Sequence, residues 1–281
     1  VSPTLRRLAR DPWARVAAVV LILLVVVAVF APAIAPYDPN RQLDIIALKD
    51  RPPSSAHWFG TDPYGRDVLS RVLFGARISL AVAVLAVLAA TTAGLAYGAV
   101  AGMSGPRTDA VLMRLLDICL AVPRLLILVA ITALWDTISV PTLILVLGLT
   151  GWFTLGRMVR ADVRAVRARE FVIGARALGA SPARILARHV LPHVLSTVIV
   201  WATLDIGQVI LLEAGLSFLG LGVQPPTPSW GAVMQDGADR LGGLWWMSVF
   251  PGLAIVVTVA AVALLGERLR DALDPRDLPR R

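Results

Sequence analysis

A chain of 281 residues with 57% hydrophobic and only 16% charged side chains holds more apolar surface than one soluble core encloses, which excludes both an ordinary soluble domain and a disordered chain. Its apolar runs approach the roughly 20 residues that span a bilayer, so it reads as an integral membrane protein. The net charge of +8 is spread asymmetrically along the chain and suits anionic lipid headgroups, not nucleic acid, and the single cysteine excludes an intrachain disulfide.

Six spans are predicted in chain order: 16–35, 78–100, 112–134, 140–156, 194–212 and 245–265. They are continuously apolar without two-residue alternation, so the expected fold is all-α, a polytopic bundle of six transmembrane helices and not a barrel. Arg6, Arg7, Arg10 and Arg15 precede the first run, whose length exceeds the ~7 to 15 residues of a secretory signal core. Pro36 would also follow the scissile bond, so the run reads as a membrane anchor.

The segment from Tyr37 to Arg77 has nearly balanced charge and reads as a folded external region. Asp62, Pro63 and Gly65 mark a turn, after which Val68, Leu69, Val72 and Leu73 form an apolar stripe opposite Arg66, Ser70 and Arg71. The stripe predicts a helix lying at the membrane surface and feeding the second span. It either packs on the rest of the chain or touches a partner. Lys49 is the only lysine, and no glycine-rich phosphate loop surrounds it. Gly215, Gly220 and Gly222 lack a preceding strand and read as close-packing or turn residues. Any ATP must therefore bind another chain, and no cofactor is expected here.

In the third span Arg124 follows Asp117 by two helical turns, a spacing that favours snorkelling or interhelix pairing over a substrate role. Cys119 reads as a packed small residue. The fifth span carries Asp205, Gln208 and Glu213 on one broad helical face, candidates for a pathway lining that would suit a cationic part of a substrate. The blander reading has Asp205 and Gln208 bonding to neighbouring helices and Glu213 at the outer interface. His57, His189 and His193 form no metal site by spacing, and no serine, cysteine or carboxylate constellation indicates catalysis.

The most informative stretch runs from 170 to 192, EFVIGARALGASPARILARHVLP, a polar, arginine-rich segment between two apolar spans. Phe171 to Leu178 predicts a short helix, Gly179 a helix end at positive φ, and Ser181-Pro182 an N-cap followed by proline at the first helical position. Two short helices then meet at a fixed corner. Glu170, Ala175, Arg176, Gly179, Ala180, Ser181, Arg184 and Arg188 are the candidate docking residues: the small ones allow close approach, and the arginines can pair with acids on a partner. Most of the 27 basic residues fall in segments on this side, which predicts that both termini and the corner are cytoplasmic. The domains expected are 1–77 (N-terminus, first span and external element), 78–266 (five-helix core) and 267–281, a basic tail whose helix stops near Pro275.

The corner resembles the EAA loop of permease subunits in ATP-binding-cassette importers. Ala175, Gly179, Leu191 and Pro192 match that pattern, while Ile173, Gly174 and His189 depart from it at the positions of its glutamate, first alanine and isoleucine. ARALGAS followed by RHVLP, HWFGTDPYGRDVLSRV at 57–72, GLSFLGLGVQPPTPSWG at 215–231 and LRDALDP at 269–275 are similar to the C-type subunit of the dipeptide, oligopeptide and nickel importers. The resemblance covers nearly the whole chain. It implies a bacterial inner-membrane permease paired with a homologous second permease, two ATPase subunits holding ATP and Mg, and an extracytoplasmic solute-binding protein. The loop would seat in a groove of an ATPase. Peptides are the implied substrate, with nickel, opines and other small solutes as alternatives. An ATP-independent secondary transporter would instead show charged or discontinuous helices on several spans and an internal repeat, and no repeat is visible.

Overall fold

The computed structural model describes residues 8–42, 44–135, 137–238 and 243–273. Within them run α1 (Pro12–Ile34), α2 (Ile45–Leu48), α3 (Val68–Met103), α4 (Pro106–Leu120), α5 (Arg124–Thr132), α6 (Val140–Arg167), α7 (Glu170–Ala177), α8 (Pro182–Ile185), α9 (Leu191–Phe218), α10 (Trp230–Ala238) and α11 (Trp245–Leu273). No strand is present among the described residues, only an isolated bridge between Thr61 and Asp67. Five helical runs are long and apolar enough to cross a membrane, and a sixth is made by α4 and α5 taken together. The all-α, six-span architecture read from the sequence is thus observed. The tail residues from 274 onward, Arg240, and Arg6 and Arg7 lie outside the described residues.

The third span differs from expectation. It is not one helix but two, bent by 73° around Ala121, Val122 and Pro123. Pro123 supplies the cause, since it disfavours helical geometry at Val122 and has no N–H to donate. The surface helix expected at 68–73 is also corrected. Asp67 caps α3 by accepting from the Ser70 N–H, and α3 then runs unbroken for 36 residues. Its first apolar positions, Val68 and Val72, are buried beneath α10 and α11 and do not lie on a membrane surface.

The tightest packing joins α3 to α6. Gly94, Gly98 and Gly102 recur every four residues along one stripe of α3 and let the α6 backbone approach until Leu155, Val159 and Val163 fill the space that side chains would take. A Cβ at Gly98 would stand 2.5 Å from the Gly156 carbonyl oxygen, so this contact admits no larger residue. By contrast α1 buries only small residues, Ala14, Ala17, Ala28 and Ala31, and leaves Val19, Ile22, Leu23 and Phe30 exposed all round. Such a helix is stable in lipid and would aggregate in water.

The end of the bundle opposite the 170–190 corner is tied by ion pairs. Arg66 and Arg71 both reach Asp236 of α10, at 2.7 and 2.8 Å, and Arg66 also pairs with Asp62. Burial pushes the Asp236 carboxyl above its ordinary range, against the pull of Arg71 and Arg66. His57 holds Asp67 at 2.9 Å, and the indole N–H groups of Trp246 and Trp230 donate to the carbonyls of Thr61 and Val72. The external segment is therefore a folded part of the bundle.

Candidate functional site

The corner begins where α6 stops at Arg167. Arg169 precedes α7, and α7 ends in a closed motif: the Gly179 N–H donates to the Arg176 carbonyl and the Ala180 N–H to the Ala175 carbonyl. That six-to-one and five-to-two pair requires a left-handed residue between them, and Gly179 supplies it with φ of +84°. Ser181 caps α8 by accepting from the Arg184 N–H, and Pro182 occupies its first position. Each of these local features follows the expectation from sequence.

One feature was not foreseen. α8 does not stand alone but continues through a π-helical turn, Leu186–Val190, straight into α9. The Leu191 N–H donates to the Leu186 carbonyl, five residues back. Pro192 has no N–H for the Arg188 carbonyl, so the chain there has one fewer constraint holding it to the ordinary repeat. Pro192, just before the fifth apolar span, was the signal for it.

What anchors the corner is apolar. Val172 and Ile185 point inward with Val190 onto Val159, Val163, Val166, Val194 and Val198, forming a cluster separate from the main core. Phe171 stacks on His193 at 5.5 Å, and His193 is fixed in turn by the His189 carbonyl. What the corner presents outward is mixed. Leu178, at its apex, is 91% exposed and Ile173 is 55% exposed. Arg176, Arg184 and Arg188 stand exposed around them, with Glu170 at the start of α7. An apolar knob in a basic rim is the composition of a protein contact whose core excludes water and whose rim meets acids. A Cβ at Gly179 or Gly174 would meet nothing within 4 Å, so none of the described residues covers that face.

The corner is also tied to the membrane helices by charge. Asp109, in the first turn of α4, accepts from Arg160 Nε at 2.8 Å and Arg164 Nη1 at 2.7 Å, and Arg167 donates to the Gly102 carbonyl at 2.6 Å. These contacts lock the end of α6 onto α3 and α4 beside the corner.

The second candidate set is split by the fold. Glu213 is wholly enclosed, with its carboxylate accepting from Ser79 of α3 and Ser217, each at 2.8 Å. It is enclosed by protein and has no exposed surface. Gln208 is exposed, while Asp205 is buried and faces Arg124 at 3.8 Å. Arg124 also donates to the Leu147 carbonyl of α6 at 2.9 Å, so it pairs between helices instead of snorkelling. Asp117 pairs elsewhere, with Arg157. Arg124 as a partner of Asp205 was beyond sequence reasoning, because the two are joined only by the bend at Pro123.

Comparison with known proteins bears on this geometry directly. Residues 94–277 match the family described as binding-protein-dependent transport system inner membrane component. The chain belongs to that family. Residues 3–53 further match the N-terminal membrane domain of oligopeptide transport permease C. The chain is 39% identical to the dipeptide transport system permease protein DppC of Bacillus subtilis (strain 168), over 96% of this chain and 84% of the relative. It is 42% identical to the glutathione transport system permease protein GsiD of Escherichia coli O6:K15:H31 (strain 536 / UPEC), over 96% and 89%. With the oligopeptide transport system permease protein OppC of Bacillus subtilis (strain 168) it shares 37% identity, over 96% and 88%. The protein is thus a multi-pass permease subunit of an importer of the ATP-binding-cassette class, as the resemblance of the corner implied. Among the described residues one helix pair, α4 and α5, is discontinuous, and the family match weighs against a secondary transporter.

Proposed function

We propose that this permease forms half of a translocation pathway for di- and oligopeptides and is driven by ATPases that dock on the 170–190 corner. The observation that carries the reading is the corner itself: an uncovered apolar apex at Leu178 with Arg176, Arg184 and Arg188 around it, on a base anchored by Val172 and Ile185. A rigid knob of this kind seats in a groove with acidic edges, and Ile173, standing where the family pattern has glutamate, makes the contact more apolar. The subunit itself is non-catalytic. ATP and Mg sit on two partner ATPases, a homologous second permease completes the pathway, and a solute-binding protein delivers substrate at the opposite end. The basic asymmetry puts the corner and both termini in the cytoplasm of a bacterial cell, with the ion-paired end facing out. Closure of the ATPases would move the corner and open the pathway outward, and hydrolysis would reset it.

The test is mild-detergent purification of the chain from its native membrane, with mass spectrometry of every associated protein and small ligand. Recovery of a second permease and ATPases, with peptide on an associated binding protein, is the expected outcome. Nickel on that binding protein would replace the peptide reading. A chain recovered alone that transports in liposomes without ATP would overturn the partner set altogether.

A further inference from the structure

Two charged groups inside the membrane helices, Arg124 and Asp205, meet at the bend between α4 and α5. Arg124 opens α5 and reaches across to α6 and α9, where its Nη1 stands 3.8 Å from Asp205 Oδ1. That distance permits Coulomb attraction but is too long for a hydrogen bond. Arg124 Nε and Asp205 Oδ2 are both enclosed and have no hydrogen-bond partner among the described residues. Buried charges left this incomplete are costly, because each forgoes the bonds that water would give it. The pair opens onto a cavity of about 280 Å³ that Thr150, Thr154, Trp201 and Cys119 also line.

A cation, an anion, two threonine side chains and an indole around a small void match a small molecule that carries both charges. We propose that Arg124 and Asp205 form a transient binding station for a zwitterionic dipeptide, the Arg124 guanidinium donating to its carboxylate and the Asp205 carboxylate accepting from its ammonium group. The proposal rests on the peptide reading above and deepens it. Incoming peptide parts the pair and then completes the hydrogen bonding that it lacks. A void of about 280 Å³ suits a ligand near dipeptide size. Longer peptides would present only their ends. An empty station closes on its own opposite charge, which keeps either group from standing unpaired in the membrane between passages.

Cys119 is the chain's only cysteine and lines the same void, so it reports occupancy. The complete importer in liposomes is alkylated with N-ethylmaleimide in the presence and absence of alanyl-alanine, and the Cys119 peptide is quantified by mass spectrometry. In parallel, ATP-driven uptake of labelled alanyl-alanine is measured with binding protein present. Expected is severalfold slower alkylation with peptide, weaker protection by the N-acetyl and C-amide derivatives, and loss of protection in Asp205→Asn and Arg124→Gln. Uptake should fall about tenfold in each variant, the loss of one charge-assisted bond. The double variant Arg124→Gln with Asp205→Asn separates binding from packing: it should transport no better than either single change. Restored uptake in the double variant, or uptake by the wild type without protection of Cys119, would overturn the station while leaving the importer reading intact. Failure of the wild type to take up any peptide would overturn the reading on which the station rests.

Discussion

Replacing Gly179 isolates backbone geometry from contact. Its φ is +84°, and a Cβ there meets nothing within 4 Å. Any effect therefore comes from the left-handed conformation, which costs an L-residue roughly 1–2 kcal/mol. Asn tolerates the region best, Ala bears the ordinary strain, and Val adds the crowding of its β-branch. If the strain is expressed fully, Ala populates the closed corner about 5- to 30-fold less, and apparent affinity for the ATPases falls by the competent fraction. The buried Val172 and Ile185 on either side hold the corner shut, so these figures are ceilings. The expected order of transport in proteoliposomes, at matched membrane insertion, is Gly, Asn, Ala, Val. Amide exchange at Gly179 and Ala180 should rise in the same order, because their N–H groups close the motif onto Arg176 and Ala175. A Val variant that transports and couples ATP hydrolysis like the wild type would refute the coupling role. Equal losses in all three would show that φ is not the cause.

Other perturbations test the frame that carries the corner. Gly98→Ala forces a methyl against the Gly156 carbonyl and Val159, and should lower thermal stability in detergent by about 1–3 kcal/mol, whereas Gly252→Ala, inside α11 with nothing within 4 Å, should not lower it. Asp109→Ala removes the shared acceptor of Arg160 and Arg164; since Arg164 is half exposed, most of an expected loss of about 1–2 kcal/mol comes from Arg160, and chemical unfolding should read it. Glu213→Ala leaves the Ser79 and Ser217 hydroxyls without their acceptor and opens a void, so a loss of at least about 2 kcal/mol is expected, with Glu213→Gln milder because it keeps one acceptor oxygen. A double-mutant cycle at Ser79 and Glu213 should show coupling, and additive effects would deny the bond.

What could be read from the sequence was local. Gly179, Ser181 and Pro182 announce their geometry because each choice is made within four or five residues. The apolar runs announce their helices because lipid leaves the backbone no other partner. The contents of the interior were harder to read. Nothing near Glu213 says that Ser79, more than a hundred residues earlier, accepts its burial, and helical spacing placed Glu213 with Gln208 although packing separates them. The stripe at Val68 and Val72 is amphipathic in sequence, but amphipathicity cannot tell a membrane surface from the flank of α10. Pro123 was visible, yet a proline in an apolar run marks a kink without its size. The 73° bend is what carries Arg124 to Asp205.

α6 connects the two candidate sites. Near one end Val159, Val163 and Val166 hold the corner, and Arg160 and Arg164 lock it to α4. Farther along, Leu147 accepts from Arg124, and Gly151 leaves room for the guanidinium, whose Nη2 stands 2.7 Å from where a Cβ would be. From Val166 to Leu147 is about 28 Å at the helical rise per residue. No proline interrupts that length, since Pro141 sits at the first turn, and the glycine stripe of α3 grips it along one side. A helix so held moves as one body or not at all. A push at the corner therefore reaches Leu147 with little loss, and there it shifts a carbonyl that fixes Arg124 relative to Asp205. The ion pair at 3.8 Å is held by Coulomb attraction without a hydrogen bond, so no directional bond resists such a shift. Gly151→Ala should consequently disturb peptide occupancy at Cys119 while leaving ATPase binding at the corner intact, and equal loss of both would mean that α6 has come away from α3.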